Sequence, residues 1–376
     1  RLMTMFWGAT LFVLRRLIKV NKLWKVPREA ARISAWSFIL AWLSLLIAVI
    51  LLYIATGDWY IYSNMSDDNA INYGMRLCIN LLIVLAVIIP AAQFPFQGWL
   101  IESVAAPTPV SAIMHAGIVN AGGVILTRFS PVFNDEIAIS LLLIIASISV
   151  LLGSGISLVH VDYKRQLVGS TISQMGFMLV QCALGAYSAA IVHLILHGVF
   201  KATLFLQSGS VVKRFNIPTP PSVKKSYGWL VFGRLLAILI AIIFRLNSDR
   251  HAYDVLSALI LAWSLMVSWN QLVAFSHGLI GRVIGVCMII VVVIVYIITH
   301  HYFFTTLSNV DIHIVSPPLI SIILSIAIIV FGSMLSIWVS RRRESKAFAK
   351  LYLWLIKVGE AKTQSIESHP SYLKRF

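Results

Sequence analysis

Residues 93–128 read QFPFQGWLIESVAAPTPVSAIMHAGIVNAGGVILTR. Pro95, Pro107 and Pro109 punctuate this stretch, which also carries Glu102, His115 and Asn120 in a segment otherwise apolar enough for a bilayer. Hydrocarbon penalises interrupted backbone and ionisable side chains, and both persist there only when buried in protein or lining a watery cavity. The stretch therefore predicts the functional core of a membrane protein.

Working outward, the remaining sequence agrees. Of 376 residues, 59% are hydrophobic and 12% charged, about half the charged share of a soluble domain. Apolar runs of about 20 residues recur, each long enough for ~30 Å of hydrocarbon. The expected fold class is an all-α polytopic membrane protein with about ten transmembrane helices plus a partial N-terminal one, including a proline-broken helix. The short alternating segments of a transmembrane barrel are absent from the sequence.

The net charge of +16 reflects topology rather than nucleic-acid binding, because most basic residues cluster between the apolar runs. Cys78, Cys182 and Cys287 stand singly and read as small buried hydrophobes, which argues against a metal or Fe–S site. No phosphate loop, dinucleotide fingerprint or haem-attachment motif occurs, so no cofactor is expected in this chain.

Along the chain, residues 2–14 read as the tail of a truncated helix, with an N-terminal portion expected before Arg1. A basic loop follows, from Arg15 to Arg32, closing a first unit of residues 1–32. A transmembrane domain is expected over 33–340, with spans at 33–55, 77–106, 108–127, 137–159, 167–185, 187–212, 229–244, 252–275, 279–299 and 317–339. The run 77–106 is too long for one straight helix and contains Pro90 and Pro95, so it is read as discontinuous; Pro107 and Pro109 lead into the next span.

Lys164/Arg165, Lys213/Arg214/Lys224/Lys225, Arg282 and Arg341–Arg343 fall on the side of the basic loop. The opposite loops hold few basic residues, and 300–316 has no Lys or Arg. The positive-inside rule then places the C-terminus in the cytoplasm, in a chain expected in the cell membrane. The tail 341–376 is basic, and its segment 348–360 mixes Lys with Leu, Trp and Tyr at helical spacing, as for a helix on the membrane surface or one that docks a partner.

The candidate functional residues are ionisable groups at membrane depth. His193, His197 and Lys201 recur at i, i+4 and i+8, on one helical face. A lysine in mid-membrane should face the bundle interior and pair, so two imidazoles leading to an amine suit a chain of proton-transfer sites. The alternative is a set of satisfied interhelical hydrogen bonds, which for His193, nearer its helix start, is the simpler reading. His115 reads either as a relay group or as a polar bridge, and Glu102 either as a lysine's partner or as solvated in its turn. Asp162 and Lys164 sit in the short loop 160–166. The pair His193/His197 lacks the glutamate and third ligand of HExxH, so no metal site is assigned.

AQFPFQGWLIESVAAPTPVSAIMHAGIVNAGGVILTR, then DYKRQLVGSTISQMGFMLV and HLILHGVFKATLFLQSGS, resemble in order three signature segments of the antiporter-like subunits of respiratory complex I (the subunit 5 type) and of Mrp-type cation/proton antiporters. The resemblance covers about residues 30–212, with the antiporter-like core at about 77–212. HAGIVNAGG and a shortened C-terminal half look most like the DabB/MpsA branch. That likeness implies a non-enzymatic membrane subunit of an inorganic carbon uptake system, in which H⁺ or Na⁺ influx drives bicarbonate accumulation from CO₂. It further implies a large peripheral DabA/MpsB-like partner on the cytoplasmic side, resembling a zinc carbonic anhydrase, with zinc in that partner. His115, His197 and Lys201 match positions that the superfamily uses in its half-channels and hydrophilic axis, and Asp162 and Lys164 match the start of the following motif helix. Pro90 stands where many relatives carry the lysine of the broken helix, which sets this chain apart from a complete lysine relay. Two other readings stand beside this one: a complex I/Mrp-type pump or antiporter module, and a structural anchor that conducts nothing.

Overall fold

The computed structural model describes residues 2–19, 25–57, 59, 71–208, 227–246, 269, 278–308, 318–342 and 344–361. Among these residues the secondary structure is helical throughout, with no strand. The expected span 252–275 lies outside the described residues except for Trp269.

Helix α1 covers Leu2–Ile18 and α2 covers Lys25–Thr56. The expected basic loop is therefore much shorter than 15–32. Arg15 and Arg16 complete the last turn of α1, while Lys25, Arg28 and Arg32 start α2. Long basic side chains lose little freedom in a helix, and cations at its C-terminal end complement the backbone dipole, so both ends extend past the apolar run.

Helix α3, Tyr73–Ile88, starts at Asn72, whose side chain accepts from the Gly74 N–H, and stops two residues before Pro90. A short α4, Gly98–Glu102, and a 3₁₀ turn, Ser103–Ala105, follow. Between α3 and α4 the freed backbone groups find new partners. The Ile88 carbonyl accepts from the Gln93 N–H (2.9 Å), and that of Ile89 from the Trp99 indole N–H (2.7 Å). The Phe94 N–H donates to the Ser149 hydroxyl (2.9 Å). Gln93, fully buried, donates its side-chain amide to the Ala91 carbonyl (2.6 Å) and across to that of Ile172 (3.3 Å). Non-helical backbone at this depth is thus satisfied by protein, as a lipid environment demands.

Helices α5, Thr108–Ala116, and α6, Ala121–Arg128, are one rod interrupted at Gly117 by a 3₁₀ turn, Ile118–Asn120. Pro107 is the residue before the first helical position and Pro109 lies in the first turn, where a missing N–H breaks no bond. Helix α7, Glu136–Val159, is capped by Asp135, whose carboxylate accepts from Ile137 and Ala138 N–H groups. Helices α8, Tyr163–Ala183, and α9, Tyr187–Ser208, follow through short turns. Beyond them lie α10, Tyr227–Leu246, α11, Gly278–Ser308, α12, Leu319–Arg341, and α13, Lys346–Gly359.

The most extensive helix pair is α7 with α8. A Cβ at Gly153 would stand 2.6 Å from the Gly169 carbonyl oxygen, and one at Gly169 would stand 2.6 Å from the Ser157 nitrogen. Two backbones in direct contact, with no side-chain layer between, are how helices associate where no hydrophobic force separates protein from lipid.

Among the described residues, four helical stretches are long and apolar enough to cross a membrane: Lys25–Thr56, Thr108–Arg128 taken through its interruption, Glu136–Val159 and Tyr187–Ser208. Shorter apolar helices include Tyr73–Ile88 and Ile322–Gly332. Large apolar side chains such as Trp36, Ile54, Val199 and Phe331 remain exposed, as lipid-facing residues would. The protein is a helical, membrane-embedded one.

Candidate functional site

The polar residues converge where α5, α8 and α9 meet. Helix α9 packs against α8, and its His193, His197 and Lys201 look into that seam. Lys201 is 1% exposed. Its ammonium donates to the Leu167 carbonyl (3.0 Å) and to the Ser170 hydroxyl (2.9 Å), both on α8. The seam runs antiparallel, since further along it His193 Nδ1 lies 3.1 Å from the side-chain oxygen of Gln181. That oxygen only accepts, so the imidazole is the donor there.

His197 lies between them, buried, with its ring centroid 6.0 Å from that of His193. Neither ring nitrogen of His197 has a hydrogen-bond partner among the described residues. A buried imidazole without partners is costly in a dry interior.

His115 approaches from α5. Its Nδ1 lies 3.0 Å from the Thr171 hydroxyl, and its ring stacks on Phe205 at 4.2 Å between centroids. The Thr171 hydroxyl donates its one proton to the Leu167 carbonyl (2.9 Å). It therefore accepts from His115, which fixes the Nδ1–H tautomer and leaves Nε2 free to accept. Close approach makes the junction possible. Gly198, between His197 and Lys201, lies against the interruption in the α5–α6 rod, where a Cβ would stand 3.0 Å from the Ala116 carbonyl.

The other expected residues sit at helix ends and turns. Glu102, the last residue of α4, is buried rather than solvated in its turn. Asp162 is the N-cap of α8: its carboxylate accepts from the Lys164 N–H (2.9 Å) and lies 3.7 Å from the Arg165 guanidinium. Lys164 reaches back to donate to the Ala106 carbonyl (3.1 Å), tying α8 to the turn before Pro107. Pro90 and Pro95 lie in the turn between α3 and α4. Among the described residues no cluster of three or more His, Cys, Asp or Glu could hold a metal.

Sequence reasoning missed three participants. Gln181 and the Leu167 carbonyl gave no signal, one being an ordinary amide and the other backbone. Gln93, at the head of the decisive stretch, bonds α8 across the turn. Its place in the proline-containing turn after α3 was the available clue.

Residues 1–285 match the family of NADH:quinone oxidoreductase/Mrp antiporter transmembrane domains. A probable inorganic carbon transporter subunit DabB of Bacillus subtilis is 56% identical over all of this chain and 75% of its own length. Subunit DabB1 of Halothiobacillus neapolitanus is 40% identical over 57% of this chain and 42% of its own. A chloroplast NAD(P)H-quinone oxidoreductase subunit 5 of Chloranthus spicatus is 36% identical over 51% of this chain and 27% of its own. Among solved structures, the Mrp complex of Dietzia sp. has a chain that superposes with TM-score 0.54 at 23% identity, covering 96% of this chain and 38% of that one, a likeness of fold.

Proposed function

This chain belongs to the NADH:quinone oxidoreductase/Mrp antiporter transmembrane family, and from that premise we propose that it is the membrane subunit of a cation-gradient-driven inorganic carbon uptake complex. In this reading H⁺ or Na⁺ enters along the α5–α8–α9 junction. Lys201 is the central protonatable site, and His197 and His115 pass protons to and from it. His193 lines the route on one side, while Glu102, Asp162 and Lys164 shape its approach. The turn at Pro90 and Pro95 and the entry at Pro107 and Pro109 give the route its non-helical wall. A peripheral, zinc-containing, carbonic-anhydrase-like partner on the cytoplasmic side performs the CO₂/bicarbonate chemistry, and the C-terminus lies on that side.

The observation that supports this best is Lys201, buried between two helices on neutral acceptors and one turn from the unpartnered His197. A lysine at membrane depth is expensive and is seldom kept for packing. The names of the DabB relatives favour carbon uptake over redox-linked pumping. In cells lacking the native subunit, Lys201→Ala is expected to insert normally yet fail to restore bicarbonate uptake and growth in air, with growth rescued by elevated CO₂. Full uptake by this variant would dismiss the role of Lys201. Co-purification with a set of respiratory membrane subunits, and no large soluble partner, would favour the pump or antiporter reading.

A further inference from the structure

Helix α13 is an amphipathic element whose outer face the transport reading leaves unused. Its inner face is fixed by contact with α7. Leu355 packs on Gly155, where a Cβ would stand 2.8 Å from its Cδ2, and Gly359 packs on His160, just past the α7 C-terminus. Its first residue follows Arg341, the end of α12, by five positions. Lys346, Lys350 and Lys357 on α13 are exposed. A helix with three exposed lysines does not cross hydrocarbon. Both its ends, one by α12 and the other by α7, therefore lie at the same membrane boundary, and α13 runs along it.

A second observation sets the level independently. On α12, Trp338 is 49% exposed and the Arg342 guanidinium lies 4.7 Å above its ring. An exposed indole with a basic group on its outer side marks the headgroup zone.

On α13, Lys346, Lys350, Leu353 and Lys357 fall at i, i+4, i+7 and i+11, one outward stripe with Trp354 beside it. Leu353 is 64% and Trp354 51% exposed, and no acidic residue occurs between Lys346 and Lys357. Lysines interleaved with a leucine and an indole at headgroup level fit acidic headgroups above acyl chains better than they fit a polar protein surface. We propose that the outer face of α13 is a binding site for anionic phospholipid headgroups of the leaflet at this end of the bundle.

The test uses the full chain in nanodiscs of phosphatidylcholine with or without phosphatidylglycerol. A nitroxide is placed at Leu353→Cys, with Cys78, Cys182 and Cys287 replaced. The label is expected to collide more with oxygen than with a water-soluble nickel complex when phosphatidylglycerol is present. Phosphatidylglycerol is expected to be enriched among retained lipids, by roughly fivefold per lysine. The enrichment should vanish in K346Q/K350Q/K357Q and persist when the same lysines become arginines. A label open to nickel in both lipids, or enrichment unchanged by the glutamine variant, would overturn the proposal. So would shielding that arises only after a soluble protein fraction is added, which would assign the face to a protein partner.

Discussion

Lys201 and Thr171 share one acceptor, the Leu167 carbonyl, which receives Lys201 Nζ at 3.0 Å and Thr171 Oγ1 at 2.9 Å. Through Thr171 the same oxygen also orients His115. A lysine on one helix and a histidine on another are thus held in register by a single backbone atom of a third.

Replacing Thr171 with Val keeps the shape but removes both hydroxyl bonds. His115 then loses its acceptor, a deficit of about 1–3 kcal/mol for a buried polar group. Thermal unfolding of purified T171V should register that loss, and cation flux should fall further than the stability change accounts for, because the tautomer is no longer fixed. Flux equal to that of the unmodified chain would show that His115 needs no orientation.

Gly153→Ala forces backbone against backbone at Gly169, so the helices must separate; the penalty should exceed ~1 kcal/mol. Gly228→Ala, in open space on α10, should be close to neutral. Fluorescence-detected size exclusion after graded heating compares the two. A stable G153A would mean that the α7–α8 seam is looser than its geometry.

Ala92 has φ 53°, in the left-handed region, and is fully buried. Ala92→Gly relieves roughly 1–2 kcal/mol of backbone strain and gives up about 0.8 kcal/mol of methyl burial, so it should be neutral to slightly stabilising. Ala92→Val should abolish folded yield, because a β-branched residue tolerates neither the conformation nor the space. Equal yields of the two variants would refute the argument.

His160, outside the spans, is held below the usual imidazole range, first by burial and then by Arg165; Glu360 and Asp162 act in the opposite sense. A depressed folded value means that the neutral ring is favoured in the folded state. Packing against it is undisturbed above the unfolded value of about 6.5 and weakens as pH falls through the lower folded value. Since Gly359 rests on this ring, tryptic cleavage at Lys357 should quicken as pH falls below about 6.5, after correction for the protease's own pH profile. His160→Phe should flatten that dependence. Equal sensitivity in both proteins would exclude His160 as the cause.

The sequence made the membrane class and the cluster of titratable residues legible for the same reason: charge is rare in apolar runs, so Lys201 and its imidazoles stand out by type and spacing alone. The turn that follows α3 contains Pro90, which lacks a backbone donor. What could not be read was pairing. Leu167 contributes only its carbonyl, Gln181 is an unremarkable amide, and the link from Gln93 to Ile172 joins residues far apart in the chain. From sequence Asp162 reads as a pathway acid at the start of the motif helix; its bond to the Lys164 N–H shows that it caps that helix. The helical turns at Arg15–Ile18 and Lys25–Arg32 are rich in basic residues, whose charge marks a loop although Lys and Arg are good helix formers.

The contact of Gly153 with Gly169 has a mechanical corollary. Backbones in direct contact leave little room for α7 and α8 to slide against each other, so the face bearing Ser170, Thr171 and the Leu167 carbonyl sits on the more tightly packed side of the junction. On the proposed transport reading, a gating stroke would fall to the opposite side, where the rod interrupted at Gly117 carries His115 and bears on α9 beside Lys201.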